Sequence, residues 1–201
     1  MERRDALKNL GLSIGGITMS STVVGLLQSC SGKSNLSWNP EIFDSQEAEL
    51  ITKTLEVILP KTEDIPGATE LNLTQFIDGY IKHVSGIEEQ KSIKKLAEKY
   101  LSTTKAKLGK KNVSDMTLDD IDSRLAYYLK ADKSQIDQWS NEDSDDASNY
   151  NFLNSLRSRG VSAFKMSEYI GEKVLAYSPI PGQQIGCVDI NEATGGKAWS
   201  I

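Results

Sequence analysis

Apolar residues recur at three- and four-residue spacing along most of the chain, a pattern that predicts amphipathic helices. Ala48, Ile51, Leu55 and Ile58 form the first stripe. Asp44-Ser45-Gln46-Glu47 opens it as a capping box, an N-cap acid with Glu three residues on. Pro60 closes it, since its ring removes a backbone donor and crowds the preceding turn. Lys61 to Leu71 reads as a loop punctuated by Pro66-Gly67. Leu73, Phe76, Ile77, Tyr80, Ile81 and Val84 predict a second helix, ended by Gly86. Ile93, Leu96, Ala97, Tyr100 and Leu101 predict a third, with the lysine-rich stretch from Ser102 to Asn112 fraying into loop. Thr117 caps a fourth, whose core side is Ile121, Leu125, Ala126 and Leu129. After the polar stretch Asn141 to Ser148, Phe152, Leu153, Leu156, Val161, Phe164 and Ile170 predict one long helix, or two with Gly160 as the break. No alternating β-branched run is long enough for a sheet, so the fold class is all-α.

The texture changes after Leu175. Two prolines and two glycines lie between Ala176 and Cys187, and Gly195-Gly196 follows. This stretch reads as an extended, non-helical tail, laid over the helices or over another protein. Tyr177, Ile180, Ile185, Val188 and Trp199 are large enough to favour burial in either place.

The N-terminal stretch reads differently from the rest. Arg3-Arg4 heads a mild apolar run from Leu10 to Leu27, diluted by glycine, serine and threonine. A basic head before an apolar middle is an export leader, and paired arginines point to the twin-arginine route. Ala6 stands where that motif favours a bulkier apolar residue. Leu27-Gln28-Ser29-Cys30 has the form of a lipoprotein box, which makes Cys30 the first mature residue and the lipid carrier. The expected organisation is a leader over 1–29, a linker over 30–41 and one helical domain over 42–201. The plainer readings are a simple cleavable leader and a chance cysteine.

Composition sharpens this picture in two ways. The chain has 201 residues, 25% charged and 38% hydrophobic, which suits one globular domain. Its net charge is −5, and with no clustered basic face this argues against nucleic acid as a partner. The only cysteines are Cys30 and Cys187. A lipidated Cys30 leaves Cys187 without a partner in the chain; a Cys30–Cys187 bridge is the rival.

Candidate chemistry is sparse. His83 is the only histidine, so no multi-histidine metal site can form, and it reads as a surface or half-buried helix residue. Glu142, Asp143, Asp145 and Asp146 cluster without the turn glycine and distant Glu of a calcium loop, and read as a solvated loop. Gly195-Gly196 does not open a nucleotide cradle. Cys187 reads as a packed small side chain. A route that exports folded, cofactor-loaded cargo, used by a chain without a cofactor motif, suggests that the cofactor belongs to a companion.

Two stretches carry a family resemblance. Ile58-Leu59-Pro60-Lys61-Thr62-Glu63-Asp64-Ile65-Pro66-Gly67-Ala68, followed by Phe76-Ile77-Asp78, resembles the signature of gluconate 2-dehydrogenase subunit 3, departing from it at Glu63-Asp64-Ile65. Tyr177-Ser178-Pro179-Ile180-Pro181-Gly182, then Gly186-Cys187, then Gly196-Lys197-Ala198-Trp199, resembles the family's tail, with Gln184 in place of an aromatic. The resemblance implies a non-catalytic subunit with no cofactor of its own. Its partner would be a large flavoprotein of the glucose-methanol-choline type, which carries FAD, oxidises a sugar, sugar acid or glycoside and passes electrons to a cytochrome c. The small subunit would support export and maturation and stay bound, anchored to the membrane by lipid. Interface candidates on this basis are Pro60, Thr62, Pro66, Gly67, Tyr177, Pro179, Pro181, Gly182, Gly186, Cys187 and Trp199. The alternatives are a stand-alone periplasmic sugar-binding lipoprotein and a glycoside-processing enzyme.

Overall fold

Asp44 caps the first helix as its sequence predicts: its carboxylate accepts from the Gln46 and Glu47 amides, and Glu47 answers the Asp44 amide at 2.9 Å. The structure, a computed structural model, describes residues 36–141, 143–178, 182 and 186–200. The leader with Arg3 and Arg4, Cys30, Glu142, Pro179, Ile180, Pro181, Gln184 and Ile185 lie outside the described residues.

The elements are α1 (Ser45–Ile58), α2 (Leu73–Val84), α3 (Ile87–Leu108), a 3-10 turn (Val113–Asp115), α4 (Leu118–Leu129), α5 (Lys133–Asn141), α6 (Asp145–Met166), a π turn (Ile170–Val174) and α7 (Ile190–Thr194). The fold is all-α. The β-type pairing among the described residues is one isolated parallel bridge between Ala176 and Trp199. Helix α1 packs against α2, α3, α4 and α6, and α6 packs in turn against all five preceding helices. Helix α1 is buried on more than the predicted stripe, since Leu50 and Thr54 lie inside together with Ala48, Ile51 and Leu55. Leu36 and Trp38 also rest on this core, so packing begins within the stretch read as linker.

The boundaries differ from the sequence reading where a cap was missed. Helix α3 runs on through the lysine-rich stretch to Leu108, and Gly109 stops it at φ +64°, a left-handed cap that glycine adopts without strain. Helix α5 was not expected. Asp132 supplies its cap, with its side chain accepting from the Gln135 amide at 2.9 Å. Trp139 of α5 is buried against Tyr128 and Tyr150. The tail contains a helical turn, α7, where none was expected, and Gly195-Gly196 end it with φ +64° and +81°.

Gly160 does not break α6, which stays helical for 22 residues. A Cβ built there would stand 2.6 Å from Leu55 Cδ2, so the glycine is where α6 lies against α1. The acidic cluster is also more structured than a solvated loop. Asp145 and Asp146 form the first turn of α6, where carboxylates favour the helix dipole. Asp145 pairs with Lys99 at 2.9 Å, and Asp146 accepts from the Tyr128 hydroxyl at 2.8 Å. The same hydroxyl accepts from Arg124 and Asn149. Burial in this network pushes the Tyr128 phenol up to about 12.

Two buried carboxylates hold the N-terminal side. Asp78, only 1% exposed, accepts from the amides of Glu41, Ile42 and Phe43 at 2.7, 3.1 and 3.1 Å. It ties the segment before α1 onto α2. Glu47 is fully buried and takes a 2.5 Å bond from Lys94 on α3 through Oε2, while Oε1 has no protein partner among the described residues. Burial, outweighing the Lys94 bond, raises the Glu47 carboxyl above the ordinary glutamate range.

Three stability predictions follow from these contacts. Gly160→Val overpacks the α1–α6 contact and lowers unfolding stability by about 2 kcal/mol, read by urea titration. Asp78→Ala leaves three amides without their acceptor and costs roughly 3 kcal/mol in the same titration. Because Glu47 holds its proton more tightly when folded, the native state binds more protons than the unfolded chain above about pH 4.3. Its contribution therefore falls as pH rises through the raised pKa. Glu47→Gln removes that dependence while keeping a cap acceptor, so its stability relative to wild type improves from about pH 4 upward and then levels off. A difference that is flat across that range would refute the assignment.

Candidate functional site

Three surfaces hold the residues singled out from the sequence. The first is the loop between α1 and α2. Its frame is Glu56, near the C-terminal end of α1: Oε2 accepts from the Thr69 amide at 2.8 Å and Oε1 from the Lys61 amide at 3.3 Å. Gly67 sits against this carboxylate. A Cβ there would meet Glu56 Oε1 at 2.4 Å and the Lys61 amide nitrogen at 2.7 Å, so the close approach needs glycine. Ala68 is buried, and its amide bonds the Leu59 carbonyl at 3.0 Å, closing the loop across its base. Thr62 closes the outer turn, its amide donating to the Ile65 carbonyl and its hydroxyl accepting from the Ile65 amide. Pro60 and Thr62 are exposed and Pro66 is half-buried. Lys61 pairs with Glu70, which its ammonium holds below the ordinary glutamate range, but both are exposed and the pair adds little stability.

The second surface is the tail. The Ala176 amide donates to the Ala198 carbonyl and the Ser200 amide to the Ala176 carbonyl, which brings Tyr177 and Trp199 onto neighbouring positions of one paired segment. Both are exposed, Trp199 by 53%, so neither completes this chain's own core. Val188 is exposed as well. Cys187 is an exposed free thiol at φ +54°, not the packed side chain expected from its size. Gly182 and Gly186 are exposed.

The third surface was not singled out. The sequence reading gave α2 six apolar positions on one helix, but these split into two ladders. Leu73, Ile77 and Ile81 point into the core, whereas Phe76, Tyr80 and Val84 are 49%, 47% and 62% exposed. Six apolar residues in a 12-residue helix exceed one buried stripe, and that surplus was the available signal. Phe76 and Tyr80, with ring centroids 6.2 Å apart, form one wall of a groove of about 260 Å³. Ser158, Arg159, Ser162, Ala163 and Met166 of α6 form the other, with Ile77 at the floor. Among the described residues Arg159 is the only charged lining residue, and its Nη2 pairs with Glu89 at 2.8 Å.

His83 lies exposed on α2, 3.6 Å from Glu41. Among the described residues no three His, Cys, Asp or Glu side chains converge as metal ligands, and no helix is long and apolar enough to cross a membrane. The buried Tyr128 network holds α4 to α6 through the Tyr128 hydroxyl, while Arg124 Nε and Asn149 Oδ1 have no hydrogen-bond partner among the described residues.

Comparison with known proteins gives one result. The family model for gluconate 2-dehydrogenase subunit 3 matches residues 45–182, from the first residue of α1 into the tail. No curated protein and no solved structure matches. The match takes in the Glu56-framed loop, Asp78 and every residue lining the α2–α6 groove. The chain belongs to the gluconate 2-dehydrogenase subunit 3 family, accessory subunits that associate with a larger dehydrogenase subunit.

Proposed function

We propose that this chain is a non-catalytic accessory subunit of a periplasmic, FAD-dependent dehydrogenase acting on a sugar, a sugar acid or a glycoside. It binds the large subunit, supports its export and maturation, and attaches it to the membrane. The observation that carries this reading is the family match over most of the chain. In support, the sequence opens with Arg3-Arg4 ahead of a diluted apolar run and reaches a lipoprotein box at Cys30.

The physics of the role is linkage. A subunit that binds the folded, flavin-loaded partner and not the unfolded one stabilises the loaded state by mass action, by about 2.7 kcal/mol at a hundredfold excess over Kd. The flavin belongs to the partner in this reading. The described residues of this chain offer no strand–glycine turn–helix cradle for a dinucleotide pyrophosphate, and the groove presents a single guanidinium. A lipid at Cys30 adds about 0.8 kcal/mol per buried methylene, so several acyl chains hold the complex at a membrane. Electrons leaving the flavin would pass to a cytochrome c, without a step on this chain.

The test is co-production of the large subunit with and without this chain. The expected result is at least about a tenfold drop in periplasmic, flavin-loaded large subunit when the chain is omitted, the equivalent of about 1.4 kcal/mol of coupling. Replacing both Arg3 and Arg4 by Lys should hold both proteins in the cytoplasm, and Cys30→Ala should release them from the membrane fraction. Equal export and equal flavin content without this chain would end the reading.

A further inference from the structure

We infer that the large dehydrogenase subunit docks in the α2–α6 groove through an apolar helical segment that turns a carboxylate toward Arg159. The inference rests on the accessory-subunit reading and names the surface that serves it.

The groove has the shape for such a segment. Phe76 and Tyr80 stand four residues apart along α2, about 6 Å at 1.5 Å per residue, and exposed Val84 continues their row one turn beyond the groove. Ser158, Ser162 and Met166 repeat the same spacing along α6. Large side chains on one wall and mostly small ones on the other leave a channel between two ladders, which suits a helix of two turns laid between them. Met166 is 75% exposed at one end.

The exposed residues have no role in this chain's own core. Leu73, Ile77 and Ile81 already fill the inward face of α2. Covering apolar surface is favourable in proportion to the area removed from water, so Phe76, Tyr80 and Met166 together form a site for another surface. Aromatic residues, methionine and arginine are also the types concentrated at interface centres.

Charge narrows the occupant. Arg159 is the single charged lining residue among the described residues, on a chain whose net charge is −5. A guanidinium has five N–H donors, and the Nη2 contact to Glu89 and the Nε contact to the Ser155 hydroxyl at 3.5 Å leave others for an incoming carboxylate. A lysine in that place would be repelled. The family match covers this surface whole and the tail only as far as residue 182. The lining runs from Phe76 to Met166, inside the matched span of 45–182, as a property common to the family requires. Cys187, Val188, Ile190 and Trp199 lie beyond it.

The test uses the full chain, affinity-tagged and co-produced with the large subunit of its complex. Tyr80→Glu and Met166→Glu alter exposed positions, and their thermal midpoints should match wild type. Each should reduce retained large subunit by at least about tenfold, as should Arg159→Glu, whereas Trp199→Ala should stay within about twofold. A photo-crosslinking phenylalanine analogue in place of Tyr80 should join to an apolar, acid-bearing helix of the large subunit. Groove variants that fold and retain the large subunit at the wild-type level would overturn the inference and leave the accessory reading standing. So would a crosslink to a second copy of this chain or to its own tail. A wild-type chain that holds no large subunit would remove the accessory reading, and this inference with it.

Discussion

Much of this structure depends on how closely α6 approaches α1, and that distance is set at Gly160. Leu55 is fully buried, and its Cδ2 occupies the space where a β-carbon on residue 160 would be. Close packing of this kind keeps Leu153, Leu156 and Ala163 buried along the same helix. It also fixes which face of α6 turns outward. Gly160, Leu156 and Ala163 lie inward, so Ser158, Ser162 and Met166 are delivered to the rim beside α2. The contact between α1 and α6 thus positions the groove.

The family signature now has a physical reading that is largely structural. Gly67 is small because the Glu56 carboxylate and the Lys61 amide leave no room for a side chain. Ala68 is buried, and its amide clips the loop to Leu59. Asp78 gathers three amides of the segment leading into α1. These residues make the fold. Pro60 and Thr62 are exposed and remain open to a partner, as do Glu63 and Asp64, which with half-buried Ile65 are where this chain departs from the signature. A departure there disturbs none of the bonds around Glu56, which is why the loop tolerates it.

What could be read from sequence was set by how local the determining interaction is. The caps at Asp44 and Thr117 act within three residues, and the helices they open are where the pattern placed them. The cap at Asp132 is equally local, with Gln three residues on, and was overlooked because α5 buries little beyond Trp139. Gly160 left one helix or two open for the opposite reason. Glycine lowers helix propensity by about 1 kcal/mol, and only a residue 105 positions earlier explains why it is kept. Tyr177 and Trp199 read as covered by this chain or by another, and both are exposed here. Size says that a side chain gains by being covered, but not whether this chain supplies the cover.

The two ladders of α2 bring these strands together. A helix on the edge of a globular domain ordinarily divides into one apolar and one polar face, and α2 departs from that by carrying apolar residues on both. The inward ladder is accounted for by α1 and α6. The outward ladder has no such account within the described residues, and leaving it in water is unfavourable for a lone domain that could hold Lys or Glu there at little cost. Serines on the facing wall, in place of large side chains, keep the channel open instead of letting α6 close it. A protein that worked alone would lose nothing by filling that channel from its own residues. One whose working state includes a second subunit has a reason to leave it unfilled, and the family to which this chain belongs is one of subunits.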